Sequence, residues 1–235
     1  EIMIRNISSH PGIHAVLFDL DGTLIDSEPN YYLADKKLLE RYGIPFSLED
    51  KKKYIGGGNL DQMIDLKKRF SLPESPEELA SIKNDIYLDI AEHNTEVYQE
   101  MKLFLNRLRA MSMPTAVASG SSPLILSRLL ASLKLDALFD AVVSAENVAR
   151  GKPAPDIFIE AAKRLGVNPE NCLVMEDSQY GVESAKSAGM ICAAIPYLTE
   201  KPLAAAFSKA DFLFENGMSE FTADEMFEVI DVRSK

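Results

Sequence analysis

Residues 15–27 read AVLFDLDGTLIDS, in which an apolar run ends at once in two aspartates, Asp19 and Asp21, followed by Gly22. Side chains two apart in a strand point the same way, so the two carboxylates would crowd each other if the strand continued. Gly22 indicates that the strand ends there, since glycine is favoured where the backbone turns sharply. Two like charges held close together are costly unless a cation neutralises them or one of them is protonated. An acidic surface turn is the simpler alternative, because Asp-Gly turns are common.

Short apolar runs of the same kind recur along the chain. Amphipathic segments separate these runs, which are rich in Val, Ile, Leu and Ala, and this arrangement is typical of buried parallel strands joined by crossover helices. The pattern predicts an α/β fold with a doubly wound, mainly parallel, Rossmann-like sheet. The runs lie at residues 13–19, 114–118, 140–144, 172–176, 191–195 and 211–214.

Residues 29–98 interrupt this alternation. They contain three helical patterns, PNYYLADKKLLERYG, NLDQMIDLKKRF and SPEELASIKNDIYLDIAEHN, and no convincing strand. The sequence therefore predicts an α/β core domain, residues 1–28 and 99–235, and an all-helical cap domain inserted after the first strand. Ligands of open α/β sheets bind outside the carboxyl ends of the strands, so we expect the insertion to act as a lid over Asp19 and Asp21.

The composition limits the partners. The chain of 235 residues has a formal net charge of −11, which disfavours nucleic acid and anionic membranes because both repel an acidic surface. A small anionic substrate stays open, since a metal or a lysine can reverse the field inside one pocket. No apolar stretch reaches the ~18 residues of a membrane span, and Cys172 and Cys192 lie in apolar runs typical of buried free thiols. We therefore expect a soluble, cytoplasmic protein, in which the basic run at residues 51–53 is a solvated face.

A hydroxyl-rich segment follows the second apolar run. PTAVAS ends at Ser119, Gly120 and Ser121, directly before a helix that Ser122 and Pro123 are expected to begin. A helix N-terminus with free N–H groups beside hydroxyls favours anion binding. Capping of that helix by Ser119 and Ser121 is an equally good interpretation of the segment taken alone.

A lysine and a second acidic pair follow two later runs. Lys152 lies in GKPAP just ahead of a predicted helix, and CLVMED ends at Glu176 and Asp177. In chain order, the strand ends thus supply an acidic pair, a hydroxyl, a lysine and another acidic pair. Such a set favours a site with one divalent cation, one phosphoryl group and one carboxylate free to react.

Four segments, FDLDGT, ASGS, GKPAPD and EDS, resemble the motifs of the haloacid dehalogenase superfamily. The match is to the phosphatase and phosphomutase branch, which has a helical cap after the first strand, and it runs from about Ile13 to Phe214. The resemblance implies a phosphoric monoester hydrolase that uses Mg²⁺ and acts on a small phosphorylated metabolite.

The resemblance also implies catalytic roles. Asp19 would be the nucleophile that forms an aspartyl-phosphate, and Asp21 would be the general acid for the leaving oxygen and then the base for water. A free aspartic acid has a pKa near ~3.9, so Asp21 can carry a proton only where its surroundings raise that pKa. Asp19, beside Mg²⁺ and Lys152, is expected to stay ionised.

Phosphate and metal ligands are implied in the same way. Ser119 and the Gly120 amide would hold phosphate oxygens, and Lys152 would neutralise the phosphoryl charge. Asp177 would bind Mg²⁺ directly, whereas Glu176 would reach the metal or a water bound to it. The implied metal set, drawn from the two acidic pairs, is Asp19, Asp21 through its main-chain carbonyl, Glu176 and Asp177.

Within this branch the choice is between a phosphatase and a phosphomutase. EDSQYGVESAKSAG resembles β-phosphoglucomutase-like enzymes as well as sugar-phosphate phosphatases. The mutases carry a histidine early in the first cap helix and an arginine in the glycine-containing cap loop, where this chain has Tyr31 and Asn59. We therefore predict a phosphatase in which Tyr31 and Asn59 help to select the substrate. A phosphate-accepting receiver or an inactive sensor is the non-enzyme alternative, but receivers lack a helical insertion and every catalytic position is filled here.

Overall fold

The apolar runs form the strands of one sheet. The computed structural model describes residues 3–4 and 12–233, and all statements below concern those residues. Six strands coincide with the predicted runs to within two residues at either end. The strands are β1 (Met3–Ile4), β2 (Ala15–Phe18), β3 (Ile25–Asp26), β4 (Glu96–Val97), β5 (Thr115–Ser119), β6 (Ala141–Ser144), β7 (Cys172–Glu176), β8 (Ile191–Ala194) and β9 (Phe212–Leu213).

The main sheet has seven strands in the order β1-β9-β8-β7-β2-β5-β6. Only the edge pair β1 and β9 is antiparallel among the described pairings. From β2 the chain builds one side of the sheet through β5 and β6, and then crosses to β7 on the other side. The carboxyl end of β2 is therefore the topological switch point, where open α/β sheets bind their ligands. The predicted doubly wound, mainly parallel sheet is confirmed.

The helices begin and end at residues that the sequence marks. Ser122 precedes one helix and accepts a hydrogen bond from the Ile125 N–H group, and Gly166 ends another in a left-handed conformation with φ of +68°. The helices are α1 (Glu28–Glu40), α2 (Leu48–Lys52), α3 (Asn59–Phe70), α4 (Pro76–Asn94), α5 (Gln99–Ala110), α6 (Pro123–Ser132), α7 (Asp156–Leu165), α8 (Gln179–Ser187) and α9 (Ala223–Arg233).

The chain divides into two compact units. One comprises the described residues up to Asp26 and from Val97 onward, and the other comprises Ser27–Glu96. The second unit contains α1 to α4 and has an apolar core of its own, which includes Leu38, Met63 and Leu66. β3 and β4 form a separate two-stranded sheet. The expectation that residues 29–98 lack a strand is therefore wrong for β4, because a two-residue strand is too short to show an alternating pattern.

A buried ionic cluster, the Asp35 cluster, lies within the second unit. It consists of Asp35, Lys51 and Lys83, whose side chains are nearly inaccessible to solvent. The ammonium of Lys51 lies 3.1 Å from Asp35 Oδ2, and that of Lys83 lies 2.7 Å from Asp35 Oδ1. The interpretation of residues 51–53 as a solvated face is therefore wrong for Lys51, although the other two lysine side chains are about half exposed.

Two further expectations concern the thiols and the membrane. Cys172 and Cys192 are buried and unbonded to each other, as predicted. Across the part of the chain that the structure describes, no helix has both the length and the apolar character needed to cross a membrane.

Candidate active site

Three neighbouring strands bring their carboxyl ends together at the switch point. Asp19 directly follows β2, Ser119 is the last residue of β5, and Glu176 is the last residue of β7. Pairing of β2 with β7 extends one step further, because the Asp19 N–H group donates to the Met175 carbonyl at 3.0 Å. Parallel strands in register thus bring these side chains to one edge of the sheet.

Lys152 reaches this edge from the loop before α7. Its ammonium lies 2.5 Å from Asp19 Oδ1 and 2.6 Å from Glu176 Oε1. Only 12% of the Lys152 side chain is exposed, so the attraction acts with little screening by solvent. One cation therefore bridges two carboxylates that belong to adjacent strands.

Burial changes the acidity of this ionic group. Burial, opposed by the attraction of Lys152, raises the pKa of Asp19 to about 8. Repulsion by Glu176 and Asp21 contributes to the same rise. Burial also acts to lower the pKa of Lys152, but Asp19 and Glu176 outweigh it and raise that pKa above its usual value. Lys152 is therefore a cation, but it does not by itself secure the negative charge of Asp19 at neutral pH.

The Glu176 carboxylate is held on both of its oxygens. Oε1 accepts from Lys152, while Oε2 accepts from the N–H group of Ser178 at 3.0 Å and from its hydroxyl at 3.1 Å. A Cβ atom at Gly181 would lie 1.8 Å from Oε1, so the carboxylate fills the space in front of that glycine. Because both of its oxygens are bonded, the Glu176 carboxylate is held in place and in turn fixes the Lys152 ammonium.

Asp19, Glu176 and Asp177 form an acidic cluster that could hold a metal ion. Each is buried and offers one carboxylate oxygen, and these oxygens lie within 4.8 Å of one another. Oxygens this close together are near enough to bind one small cation, since opposite oxygen ligands of an octahedral Mg²⁺ lie roughly 4.2 Å apart. Thr23 donates to Asp177 Oδ1 at 3.3 Å, and a Cβ at Gly22 would lie 2.3 Å from Oδ2. The donor set and the close backbone fit a small hard cation.

The side chain of Asp21 lies outside that acidic cluster. Its Oδ2 accepts from the Ser121 hydroxyl at 2.9 Å and from the Ser119 hydroxyl at 3.3 Å. Its Oδ1 is buried and has no hydrogen-bond partner among the described residues. The two aspartates of the opening motif therefore have different neighbours: Asp19 faces a cation, and Asp21 faces hydroxyls.

The serine segment does more than cap a helix. The N-cap of α6 is Ser122, not Ser119 or Ser121. Ser121 is a contact of Asp21 that the sequence analysis did not assign, although ASGS was the signal for it. Gly120 is exposed, and a Cβ there would meet no atom within 4 Å, so its backbone is open to a ligand.

Tyr31 and Asn59 belong to the second unit and interact with residues of that unit. The Tyr31 ring stacks on Tyr87 with centroids 3.9 Å apart and an angle of 7° between the planes. The Asn59 side-chain amide donates to Asn84 Oδ1 at 3.1 Å. The other predicted residues, all in the first unit, lie at the carboxyl edge of the main sheet.

Known proteins resemble this chain over most of its length. The family model for haloacid dehalogenase-like hydrolases matches residues 13–189. The chain is 34% identical over 186 residues to the fructose-1-phosphate phosphatase YqaB of Escherichia coli (strain K12), a match that covers 74% of this chain and 92% of that protein. It is 30% identical over 182 residues to a phosphorylated carbohydrates phosphatase of Thermotoga maritima, covering 76% and 82% of the two chains.

Solved structures agree on the fold. CbbY from Rhodobacter sphaeroides, in complex with phosphate, superposes with a TM-score of 0.77 at 24% identity, over 88% of this chain and 96% of that chain. A β-phosphoglucomutase from Clostridium difficile superposes with a TM-score of 0.75 at 23% identity, over 94% and 98%. This chain belongs to the haloacid dehalogenase-like hydrolase family, as its four strand-end motifs predict, and is an enzyme of the phosphoric monoester hydrolase class.

Proposed function

We propose that this enzyme is a Mg²⁺-dependent phosphatase that hydrolyses a small, sugar-phosphate-like metabolite through an aspartyl-phosphate on Asp19. The observation that carries the proposal is the position of Asp19. Its carboxylate shares a buried site with the Lys152 ammonium, 2.5 Å away, and with the Glu176 and Asp177 carboxylates. A phosphoryl group attacked by Asp19 would therefore meet a fixed cation, which is where phosphoryl transfer needs compensation of charge.

The reaction divides between the two aspartates of the opening motif. In the first step an Asp19 oxygen bonds to phosphorus, the bond from phosphorus to the leaving oxygen breaks, and Asp21 gives that oxygen its proton. In the second step water attacks the aspartyl-phosphate, Asp21 takes the proton of the water, and the bond between phosphorus and Asp19 breaks. Inorganic phosphate leaves, and both side chains return to their starting states.

The proposed metal would be held by Asp19, Asp177 and the main-chain carbonyl of Asp21. When bound, Mg²⁺ supplies positive charge to the transferring phosphoryl group and to Asp19. This fits the acidity of the site, because burial raises the pKa of Asp19 to about 8 in the presence of the protein groups alone. Glu176 would contribute mainly by holding Lys152, since both of its oxygens already accept hydrogen bonds.

The substrate class is inferred from the relatives and the chemistry of the chain. YqaB is a fructose-1-phosphate phosphatase, and the Thermotoga protein is a phosphatase of phosphorylated carbohydrates. Ser119, the Gly120 amide and Lys152 would bind the phosphate group in a chain whose net charge of −11 otherwise repels anions. We assign the helical insertion, residues 29–98, to substrate selection as a lid, with Tyr31 and Asn59 among the selecting residues.

A phosphomutase is the second candidate, since solved β-phosphoglucomutases share the fold. A mutase must protect the aspartyl-phosphate from water and pass the phosphoryl group to a sugar hydroxyl. Tyr31 offers no imidazole for that transfer, and its ring is stacked on Tyr87. Incubation with Mg²⁺, β-glucose 1-phosphate and a trace of glucose 1,6-bisphosphate separates the two. Release of inorganic phosphate from sugar phosphates supports the phosphatase, whereas rapid, bisphosphate-dependent formation of glucose 6-phosphate without free phosphate shows a mutase.

The direct test of the proposal is a turnover screen over sugar phosphates and other phosphorylated metabolites with Mg²⁺. Asp19→Asn should eliminate turnover and leave the circular dichroism spectrum unchanged, because an amide cannot attack phosphorus as a carboxylate does. Addition of a chelator should abolish activity, and excess Mg²⁺ should restore it. Substantial activity in Asp19→Asn would refute the assignment of the nucleophile, and full activity in chelator would remove the metal from the mechanism.

A further inference from the structure

The hydroxyl of Ser121 makes the shorter of the two hydrogen bonds that Asp21 accepts from serines. Ser121 Oγ lies 2.9 Å from Asp21 Oδ2, against 3.3 Å for Ser119 Oγ. Only 8% of Ser121 is exposed, so water competes little for this bond. Ser121 is therefore placed to act on the orientation of the Asp21 carboxylate.

Ser121 is itself fixed through its backbone. Its N–H group donates to Ser119 Oγ at 3.0 Å, and its carbonyl accepts from the Ser144 hydroxyl at 2.7 Å. Ser144 ends β6, and its own N–H group donates to Asn147 Oδ1 at 3.0 Å. The ends of β5 and β6 thus hold the short segment that carries Ser121, and the direction of its hydroxyl follows from that anchoring.

Asp21 must present one carboxylate oxygen, in a fixed direction, for both proton transfers. The serine hydroxyls engage Oδ2, and Oδ1 is buried with no partner among the described residues. A buried oxygen without a partner is costly to a fold, and such atoms in native structures often have a functional reason. Oδ1 is accordingly the oxygen available to exchange a proton with the leaving group and with water.

We propose that Ser121 is a positioning residue, which holds Asp21 by Oδ2 so that Oδ1 is presented as the proton-transferring oxygen. The inference rests on the proposed function, in which Asp21 is the general acid and base. It predicts that loss of the hydroxyl mimics a partial loss of general acid catalysis. Such a loss affects poor leaving groups, which need a proton, much more than good ones, which depart as anions.

The experiment compares Ser121→Ala with the wild type on substituted phenyl phosphates of nearly equal size. The value of kcat/KM reports the steps up to departure of the phenol, so it isolates the transfer to Asp19. For phenyl phosphate, Ser121→Ala should lower kcat/KM about 10-fold, a part of the 10²–10⁴ that general acid–base catalysis contributes. For p-nitrophenyl phosphate the loss should stay within about 2-fold. Ser121→Thr, which keeps the hydroxyl, should restore the wild-type ratio between the two substrates.

Ser122→Ala is the matched control. It removes a serine hydroxyl from the same loop, but that hydroxyl caps α6. Its effect on the two substrates should be equal. An equal loss on both substrates in Ser121→Ala overturns the inference in favour of direct phosphate binding, and no loss on either overturns it as well. If the wild type hydrolyses no phosphate ester, or Asp19→Asn retains activity, then the proposed function itself has failed.

Discussion

Two lysines of the Asp35 cluster share one buried carboxylate, and this arrangement predicts that mutating the two partners of one ion pair changes the free energy of unfolding by unequal amounts. Asp35→Asn removes the negative charge beside the ammonium of Lys83, which is 2% exposed and keeps the neutral Gln62 amide oxygen at 2.7 Å. Removal of one partner of a buried pair typically costs 3–5 kcal/mol. Lys51 keeps Glu28 at 3.5 Å, so we expect about 3 kcal/mol of lost unfolding free energy, the low end of that range.

Lys83→Met removes the other partner of the same 2.7 Å pair with a different outcome. Asp35 retains Lys51 at 3.1 Å, so no buried charge loses its last partner. Replacement of a buried charge by an apolar side chain of similar volume is often neutral or stabilising. We expect the free energy of unfolding at pH 7 to change by no more than about 1 kcal/mol, in the range of one lost hydrogen bond to Gln62.

The pH dependence supplies a second readout with a definite sign. Burial, only partly offset by Asp35, lowers the pKa of Lys83 from 10.5 to about 8. Between these values the Lys83 side chain binds a proton in the unfolded chain but not in the folded protein, so the contribution of Lys83 to stability rises with pH there. At ~1.4 kcal/mol per pH unit, the Lys83 contribution amounts to about 3 kcal/mol at most. Asp19 and the two buried cysteines oppose this contribution, because their raised pKa values make stability fall with pH over part of the same range. The prediction is therefore a difference: between pH 7 and pH 9.5, the change in stability should be more positive in the wild type than in Lys83→Met by about 2 kcal/mol.

Urea unfolding followed by far-ultraviolet circular dichroism, at pH 7 and at pH 9.5, measures both effects. Asp65→Asn is a control for Asp35→Asn, because its pair with Lys53 is about half exposed and should contribute less than ~1 kcal/mol. The reasoning is refuted if Lys83→Met and Asp35→Asn cost the same at pH 7, or if the change in stability between the two pH values is the same with and without Lys83.

Three further predictions concern the active site. Gly22→Ala places a Cβ 2.3 Å from Oδ2 of Asp177, a proposed metal ligand, at a φ of +84°. We expect turnover to fall at least ~10-fold. A Mg²⁺ titration should show that a higher Mg²⁺ concentration is needed for the half-maximal rate. Gly181→Ala places a Cβ 1.8 Å from Glu176 Oε1 and should lower stability by about 1–3 kcal/mol as well as activity, which thermal unfolding and turnover would measure. Lys152→Met leaves the buried carboxylates of Asp19 and Glu176 without their cation. Urea unfolding should show that the free energy of unfolding falls by about 3 kcal/mol and that Mg²⁺ restores part of it. A stability equal to that of the wild type, with and without Mg²⁺, would contradict this.

Six strands of the main sheet and most helices could be predicted because their signals are local. α3 coincides with the predicted pattern NLDQMIDLKKRF, and the six longer apolar runs became strands. α2 was missed because LEDKK has no apolar face, although the capping box of Ser47 and Asp50 was present in the sequence. Burial of Lys51 was missed for a different reason. Its partner Asp35 is 16 residues away, on another helix, and nothing local records that proximity.

In the candidate site, too, some features could be predicted from the sequence and others could not. Its residues could be named from the sequence because parallel strands end at a common edge, which turns distant positions such as Asp19 and Glu176 into neighbours. The hydrogen bonds that refine the site depend on side-chain directions. No spacing rule indicates that the Ser178 hydroxyl donates to the Glu176 carboxylate, or that the Ser121 hydroxyl lies closer to Asp21 than the Ser119 hydroxyl does.

The stacked pair of Tyr31 and Tyr87 gives the protein an optical property. The chain contains eight tyrosines and no tryptophan, so tyrosine dominates its near-ultraviolet absorption and emission. Two rings 3.9 Å apart and nearly parallel couple their electronic transitions, and that coupling disappears once the rings separate. Both rings belong to the second unit. A near-ultraviolet signal that fades before the far-ultraviolet signal during unfolding would therefore report, without any label, that tyrosine packing is lost while the secondary structure is still intact.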